Sequence, residues 1–287
     1  MRYGVTMFLT DQTIGVVELA RAAEERGFDS LFLPEHTHIP ASRESPWPGG
    51  GELPEFYWRC LDPFVALMAA AAATERLRVG TGILLAAQHE PLAAAKAVAT
   101  LDMLSGGRVT LGVGFGWNVE EMNHHGVAYG DRREVVREHV LAMRALWDEG
   151  EGEFHGAHVD FSPSRSWPKP TQRDAGGRRA VPVLIGGGAG PKMFAHVVEY
   201  ADGWMPIGGT GLGRAVPELR QAWEKAGRDP AALQVVPFGS FPTPGKLEHF
   251  TELGVTEVVC AVLGTTRDEV LPQLDAIADT VAPFRAG

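Results

Sequence analysis

The sequence predicts an α/β fold, and within that class a (β/α)8 TIM barrel. Short β-branched or aromatic runs alternate along the chain with longer amphipathic stretches, which is the pattern of repeated β-α units around a parallel sheet. Eight such units can be counted in 287 residues, and a barrel of this kind typically needs about 250 residues plus insertions. An open doubly wound sheet is the alternative. No composition shift marks a second domain, so residues 1-287 are expected to form a single domain.

Each element is supported by its own local pattern. In the predicted fourth helix, Val136, Val140, Met143 and Trp147 recur on one face, which predicts a buried stripe. Gly27, Gly227 and Gly254 follow predicted helices where a left-handed cap is expected. In order, the predicted strands are Tyr3–Phe8, Ser30–Leu33, Leu77–Leu85, Val109–Val113, Val181–Ile185, Gly203–Pro206, Leu233–Phe238 and Glu257–Val262. The predicted helices are Ile14–Arg26, Asp62–Thr74, Leu92–Leu104, Arg133–Asp148, Lys192–Tyr200, Gly213–Ala226, Lys246–Leu253 and Arg267–Val281.

Two long connections interrupt this rhythm and are expected to be insertions. Residues 37–61 follow the second strand and residues 149–180 precede the fifth strand, and both are rich in Pro, Gly and Trp. Loops of this length inside a compact domain are usually functional lids or binding loops. Their aromatic residues are expected to form an apolar pocket wall: Trp47, Phe56, Tyr57, Trp58 and Trp167.

Composition and charge exclude several classes of function. With 26 basic and 36 acidic residues the net charge is -10, which disfavours nucleic acid and acidic membrane surfaces as partners. Phe64–Ala73 is the longest apolar run and is too short to span a bilayer, and no targeting leader is recognised. Cys60 and Cys260 form no CxxC pair, so a reduced, cytoplasmic setting is expected. The composition therefore predicts a soluble protein.

Chemistry is expected where the predicted strands end, because barrel active sites are built from the loops at the C-terminal face. PEH follows the second strand, TGILLAAQHEP lies at the end of the third, and GFGWN, GGGAGPK and MPIGG follow the fourth, fifth and sixth. Glycine in these loops lets the backbone approach a ligand closely. The strongest local signal is VPVLIGGGAGPKMF, residues 181–194, where free N–H groups at a helix start suit a phosphate. A tight turn with no ligand is the alternative, and Lys192 is either a further charge for the phosphate or a solvated lysine.

The stretch LFLPEHTHIP, residues 31–40, has three readings: a metal site, proton chemistry beside a cofactor, or an ordinary polar loop. The metal reading needs histidines after later strands, where this chain has glycines, so no metal is predicted. His36 at a strand end is interpreted as the proton donor, base or orienting group, with Glu35 orienting it or contacting a ligand. His89 is a candidate for the same cavity. We expect His38, His124 and His125 to be loop residues, with His38 as the weaker second candidate for proton chemistry.

Several of these runs together resemble one family. They are RGFDSLFLPEH, GTGILLAAQHEP, ATLDMLSGGRVTLGVGFGW, VPVLIGGGAGP and EYADGWMP. They resemble the bacterial luciferase-like superfamily, and specifically its branch that uses the deazaflavin coenzyme F420. The likeness extends from Met1 to about Pro206, and SGGR followed by LGVGFGW is its most specific part.

The resemblance implies a TIM barrel that holds a flavin-like ring at its C-terminal face, with coenzyme F420 as cofactor and FMN as the alternative. It implies that Glu35 and His36 lie beside the ring, and that a non-prolyl cis bond at Gly82-Ile83 supports the back of the ring. Trp117 stands where the sugar-phosphate dehydrogenase branch has a glutamate, so that substrate is not carried over. The cofactor-binding residues implied by the resemblance are Glu35, Thr81, Gly82, Ile83, Gly114, Gly116, Trp117, Asn118, Gly187, Gly188 and Ala189.

The function predicted on this basis is hydride transfer between C5 of the deazaflavin and a small organic substrate, with His36 as the proton-handling group. An FMN-dependent monooxygenase on the same fold is the nearest alternative. A flavin-binding protein without turnover, and a phosphate-ligand binder that uses the glycine turn alone, are alternatives from another class. The resemblance also implies a homodimer.

Overall fold

A computed structural model describes residues 1–285 of the chain, so Ala286 and Gly287 of the predicted domain lie outside the described residues. The described strands are β1 (Arg2–Thr6), β2 (Ser30–Leu33), β3 (Arg78–Leu84), β4 (Val109–Val113), β5 (Gly152–His155), β6 (Asp160–Ser164), β7 (Val183–Gly186), β8 (Gly203–Met205), β9 (Gln234–Val235), β10 (Phe238–Ser240) and β11 (Glu257–Ala261). The described helices are α1 (Val16–Glu25), α2 (Phe56–Arg59), α3 (Pro63–Ala72), α4 (Pro91–Ser105), α5 (Val119–His124), α6 (Arg132–Trp147), α7 (Pro191–Tyr200), α8 (Leu212–Lys225), α9 (Pro244–Glu252) and α10 (Arg267–Val281).

Nine of these strands form one curled parallel sheet in the order β10, β11, β1, β2, β3, β4, β7, β8, β9. The two outermost strands, β9 and β10, are separated by only Val236 and Pro237. The segment that carries both strands forms hydrogen bonds on its two sides. On one side, Val236 N–H donates to the carbonyl of Trp204 in β8 at 2.9 Å. On the other side, Val259 N–H in β11 donates to the carbonyl of Pro237 at 2.9 Å. This α/β arrangement is consistent with the predicted TIM-barrel-like fold.

The observed strands and helices alternate as predicted. The main difference from the prediction lies in the seventh strand-helix unit. The predicted strand Leu233–Phe238 is two short strands, β9 and β10. Pro237 lies between them and has no N–H to donate, so the ladder is interrupted there. Gly27, Gly227 and Gly254 have φ of +76°, +72° and +61°, which confirms the left-handed conformation predicted at these three helix ends.

The core has two parts. The larger lies between the sheet and the helices and includes the stripe predicted on α6, because Val136, Val140, Met143 and Trp147 are all buried there. The smaller lies on the inner face of the curled sheet and is formed by Phe32, Leu184, Met205, Val236 and Val259, with Ile83 and Phe238 packed against it.

Polar side chains lie on the same inner face nearer the N-terminal ends of the strands. Glu257 is 3% exposed and accepts hydrogen bonds from Ser30 Oγ and, at 3.1 Å, from Arg2 Nε. Gly4 leaves room for this contact, since a Cβ at that position would lie 2.0 Å from Ser30 Oγ. Burial and the charge of Arg2 lower the pKa of the nearby Arg78, and the charge of Glu257 opposes that effect.

The two long connections carry structure that the sequence did not predict. The segment between β2 and α3 contains α2, and the segment between α6 and β7 contains the antiparallel pair β5 and β6. Glu138 on α6 holds the turn of this pair, because its carboxylate accepts from the N–H groups of Ala157, His158 and Val159 at 2.7–2.9 Å. Among the described helices, none combines the length and apolar character required to cross a bilayer.

Candidate active site

The C-terminal ends of β3, β4 and β7 converge on the side chain of Ile83. A Cβ at Gly114 would lie 2.3 Å from Ile83 Cδ1, and a Cβ at Gly186 would lie 2.8 Å from Ile83 Cγ2. Gly82 is in close contact on another side, where a Cβ would lie 2.2 Å from the ring of Phe238. Glycine at these three positions therefore allows the strand ends to come together around a partly exposed Ile83.

The peptide bond between Gly82 and Ile83 is cis and non-prolyl, as predicted. Thr81, immediately before it, is buried and donates its hydroxyl hydrogen to the carbonyl of Gly112 at 2.7 Å. The β3–β4 register shifts between Thr81 and Leu84, which is the irregularity expected at this strand end.

His36 lies directly after the β2 strand end, and its side chain is 7% exposed. Its Nδ1 is 2.8 Å from Glu121 Oε2. The ring centroids of Tyr57 and Trp117 lie 5.3 and 5.9 Å from that of the imidazole, tilted and edge-on respectively. Its backbone N–H donates to Cys60 Sγ at 3.2 Å. His36 is thus held by residues from the first long connection, the β4 loop and α5.

Glu121 is the residue that sequence reasoning missed at this site. It lies on α5, which begins after Asn118, whose side chain accepts from the N–H of Glu121 at 3.1 Å. An N-x-x-E pattern, which is a helix-start signal, is present in residues 118–121 and could have predicted α5. That signal could not have paired Glu121 with His36, because 85 positions separate them.

Glu35 binds within the protein through both carboxylate oxygens. Oε2 accepts from the N–H of Leu85 at 2.7 Å, and Oε1 is 2.7 Å from His89 Nε2. Burial disfavours the charged form of His89, but the hydrogen bond to Glu35 and its charge outweigh burial and raise the pKa of His89. Glu35 and His89 therefore tie the β2 loop to the end of β3.

The turn Gly187–Ala189 leads from β7 to the start of α7. Gly187 and Gly190 have φ of +139° and +154°, and nothing lies within 4 Å of a Cβ built on Gly188 or Gly190. Gly188 and Ala189 are exposed. No side chain caps the N-terminus of α7, whose first residue is Pro191, so the N–H groups that follow are free to bind a ligand.

The residues predicted to bind the cofactor from the β4 loop have different roles in the structure. Trp117 contacts His36, whereas the buried side chain of Asn118 caps α5. Gly116 has φ of +70°, and a Cβ there would lie 2.8 Å from Met122. Gly116 therefore gives the loop its conformation, and Trp117 carries the loop's contact with the imidazole.

Aromatic residues of the first long connection pack beside His36. The ring of Tyr57 lies 4.9 Å from that of Phe8 and 5.8 Å from that of Trp47. Trp167, from the second connection, is not part of this group, because it is 64% exposed and its carbonyl accepts from Lys96 on α4.

Three histidines join the β2 loop to the end of α5, and we call this group with Thr37 the histidine latch. His38 Nε2 is 2.8 Å from His124 Nδ1, and Thr37 Oγ1 is 2.8 Å from His125 Nε2. His124 is the last residue of α5 rather than the loop residue that was expected. Burial, followed by the charge of His38, lowers the pKa of His125. Within residues 1–285, no three His, Cys, Asp or Glu side chains converge as metal ligands would.

Comparison with protein families gives a match over residues 10–243 to the family described as luciferase-like monooxygenase. The match covers well over half of the chain. The chain belongs to this luciferase-like family. The resemblance inferred from the sequence is thereby confirmed.

Relatives of this luciferase-like chain include F420-dependent enzymes. It is 41% identical over 286 residues to an uncharacterized protein of Mycobacterium tuberculosis, with 98% of this chain and 99% of the relative covered. It is 29% identical over 219 residues to an F420-dependent glucose-6-phosphate dehydrogenase of Amycolatopsis mediterranei, with 74% of this chain and 60% of that enzyme covered.

Two solved structures share the fold of the luciferase-like chain over its whole length. A monooxygenase from Streptomyces bottropensis matches with a TM-score of 0.80 at 20% identity, and 100% of each chain is covered. An F420-dependent secondary alcohol dehydrogenase, in complex with an F420-acetone adduct, matches with a TM-score of 0.78 at 19% identity and the same coverage of 100%. These two structures show that the fold is shared. The luciferase-like chain is an oxidoreductase, as the family match and the dehydrogenase relative indicate.

Proposed function

We propose that the protein transfers a hydride between coenzyme F420 and a small organic substrate, with His36 accepting or supplying the accompanying proton. The observation that carries the proposal is the setting of His36. Its ring is fixed through Nδ1 by Glu121 at the C-terminal end of β2 and shares a ring contact with the β4 loop. An imidazole exchanges a proton near neutral pH, which a hydride transfer to or from a carbinol or carbonyl carbon requires.

The residues at this end of the sheet fit a phosphate-bearing flavin-type cofactor. The open, uncapped turn of Gly187, Gly188 and Ala189 would bind the phosphate through backbone N–H groups. The partly exposed Ile83, with Gly82 and Gly114 at its sides, offers a floor on which a planar ring can rest. When bound, the deazaflavin would supply the carbon that gives or takes the hydride.

The other residues implied by the resemblance are proposed to act from behind the ring. Glu35 and Thr81 fix the end of β3, and Gly116 and Asn118 fix the β4 loop that presents Trp117. Exposed apolar side chains follow β8, β10 and β11, namely Ile207, Phe241 and Leu263. They favour a substrate with an apolar portion.

The proposal also includes the closure of the barrel, the positions of its insertions and the extent of the domain. We infer that the curled sheet closes as a (β/α)8 barrel, with insertions after the second strand and before the fifth, in a single luciferase-like domain spanning residues 1-287. The homodimer implied by the resemblance and the cytoplasmic setting expected from the cysteines both stay predictions.

An FMN-dependent monooxygenase is the second candidate. The observation in its favour is the full-length structural match to a monooxygenase. The two candidates differ in cofactor and in the use of oxygen, so one pair of measurements separates them.

The test is a fluorescence-quenching titration of the protein with coenzyme F420 and with FMN. We expect tighter binding of F420 and no oxygen consumption during turnover. Tighter binding of FMN, with oxygen consumed, would reject the proposal in favour of the monooxygenase.

The role of the turn Gly187–Ala189 in phosphate binding is tested by comparing the cofactor affinity of two variants in the same titration. Gly188→Ala places a methyl group in open space, so folding should be unaffected while cofactor affinity falls roughly 10-fold, the effect of one weakened hydrogen bond to a charged group. Gly245→Ala, at an equally open position on α9, is the control. Equal affinities for the two variants would remove the turn from the proposed site.

A further inference from the structure

Glu121 differs from the carboxylates that anchor loops in this protein. Glu138 accepts from three backbone N–H groups through its two oxygens, and Glu24 likewise accepts from three. Glu121 is 1% exposed, its Oε2 contacts the imidazole of His36, and its Oε1 is buried without a hydrogen-bond partner. Among the described residues, no backbone N–H group donates to the Glu121 side chain.

A carboxylate in this position is costly for folding. A buried polar atom without a hydrogen-bond partner destabilises the folded state, and more so when it belongs to a charged group. Because the side chain accepts from no backbone N–H group, its contact with His36 is the interaction that offsets this cost.

The contact also fixes the protonation of the imidazole. An ionised carboxylate can only accept a hydrogen bond, so the hydrogen between Glu121 Oε2 and His36 must reside on Nδ1. In the neutral ring, Nε2 is then the nitrogen with a free lone pair, and it is the only one available to a substrate.

We propose that Glu121 is a positioning residue that selects the Nδ1–H form of His36 and stabilises the imidazolium formed when Nε2 takes a proton. During oxidation of a substrate hydroxyl, His36 Nε2 would take the O–H proton, and a bound deazaflavin would accept the hydride from the adjacent carbon. During reduction both transfers run in reverse. This inference rests on the proposed function of His36, and it adds Glu121 as the residue that sets the protonation of the His36 ring.

Other titratable groups face this pair from each neighbouring element. Glu35 lies before His36 on the β2 loop, Tyr57 and Cys60 come from the first long connection, and His125 follows α5. Burial raises the pKa of Tyr57 and raises that of Cys60 to about 11, so both stay neutral near pH 7. Glu35 is already bonded to Leu85 and His89.

The first test is independent of substrate and cofactor. Nitrogen-15 NMR of histidine-labelled protein distinguishes the Nδ1–H form from the Nε2–H form, and His36→Gln assigns the signal. We expect the Nδ1–H form in the wild type and a mixture or the Nε2–H form in Glu121→Gln, since an amide can also donate. An unchanged His36 signal in Glu121→Gln overturns the proposal, whichever cofactor the enzyme uses.

The second test is the pH dependence of turnover, with the cofactor that the titration selects. Removing the negative charge of Glu121 disfavours the imidazolium. The limb of the pH profile that depends on imidazolium formation should therefore move to lower pH, with a rate loss of at least about 10-fold. Glu120→Gln removes a neighbouring carboxylate that bonds to Ser45 and should leave that limb in place. An unmoved limb in Glu121→Gln also overturns the proposal.

Glu121→Asp covers the case in which Glu121→Gln fails to fold. It keeps the charge, so it should retain the Nδ1–H form and the wild-type pH limb even if the rate falls. An Nε2–H form in a folded Glu121→Asp protein contradicts the proposal.

Discussion

At the scale of single residues, His36 depends on partners that are distant in sequence. Glu121, Tyr57 and Trp117 come from three separate segments and surround one imidazole. The sequence could predict His36 because it follows a predicted strand, and could predict the glycines because they cluster at strand ends. It could not predict Glu121 as a partner, since no local pattern links α5 to β2.

Replacing His36 by Ala should lower the rate of the chemical step by roughly 100-fold or more, the usual scale of general acid-base catalysis. Cofactor affinity should fall much less, because the glycine turn and Ile83 are unchanged. The measurements are a cofactor titration and a single-turnover hydride assay. His249→Ala on α9, where the imidazole is 50% exposed, is the control. Undiminished turnover, or loss of the cofactor, would make His36 an orienting or packing residue and direct attention to His89.

At the scale of elements, periodicity predicted the strands and the long helices but not the short ones. The stripe on α6 recurs at four positions from Val136 to Trp147, so its buried face could be read from the sequence. α2 has four residues and α5 has six, too few for a period to emerge. β5 and β6 are mostly exposed, so they lack the apolar alternation of a half-buried strand.

Acidification should open the histidine latch. The hydrogen bond between His38 and His124 requires one of the two rings to be neutral. His125 has a pKa lowered by burial and by His38, so its contribution to stability is full above the ordinary histidine value near 6.5 and is lost as pH falls through its folded-state value.

The measurement is amide hydrogen exchange of residues 37–45 at about pH 7.5 and about pH 5.5, on either side of the ordinary histidine value. After correction for intrinsic exchange, protection of this segment should fall in acid more than protection of α9 does. His124→Gln should make the protection of the segment less dependent on pH, whereas His249→Gln should not. Equal protection at both pH values in the wild type would show that the latch does not titrate.

At the scale of the whole molecule, Glu257 links strands at the end of the sheet away from the proposed site. It bonds to Ser30 on β2 and Arg2 on β1, and its charge opposes the effect of burial on Arg78 of β3. Glu257→Gln should lower the free energy of unfolding by about 1–3 kcal/mol, because a buried, charge-assisted network loses its acceptor. Urea denaturation measures this.

Glu252→Gln is the control for this change, since the Glu252 side chain is 78% exposed and its loss should change stability by less than about 0.5 kcal/mol. Turnover by the folded fraction of Glu257→Gln should match the wild type. A full loss of activity without loss of stability would place Glu257 in the catalytic site rather than in the scaffold.

The segment that holds both β9 and β10 also restricts how copies of this protein can associate. A sheet with an open edge offers a row of unpaired N–H and C=O groups to which another chain can add a strand. Here the two outermost strands of the nine-stranded sheet lie two residues apart on one segment, and that segment bonds to β8 on one side and to β11 on the other. If the sheet closes as proposed, the described part of this nine-stranded sheet offers no free edge for strand addition, and a homodimer would have to use other surfaces of the protein.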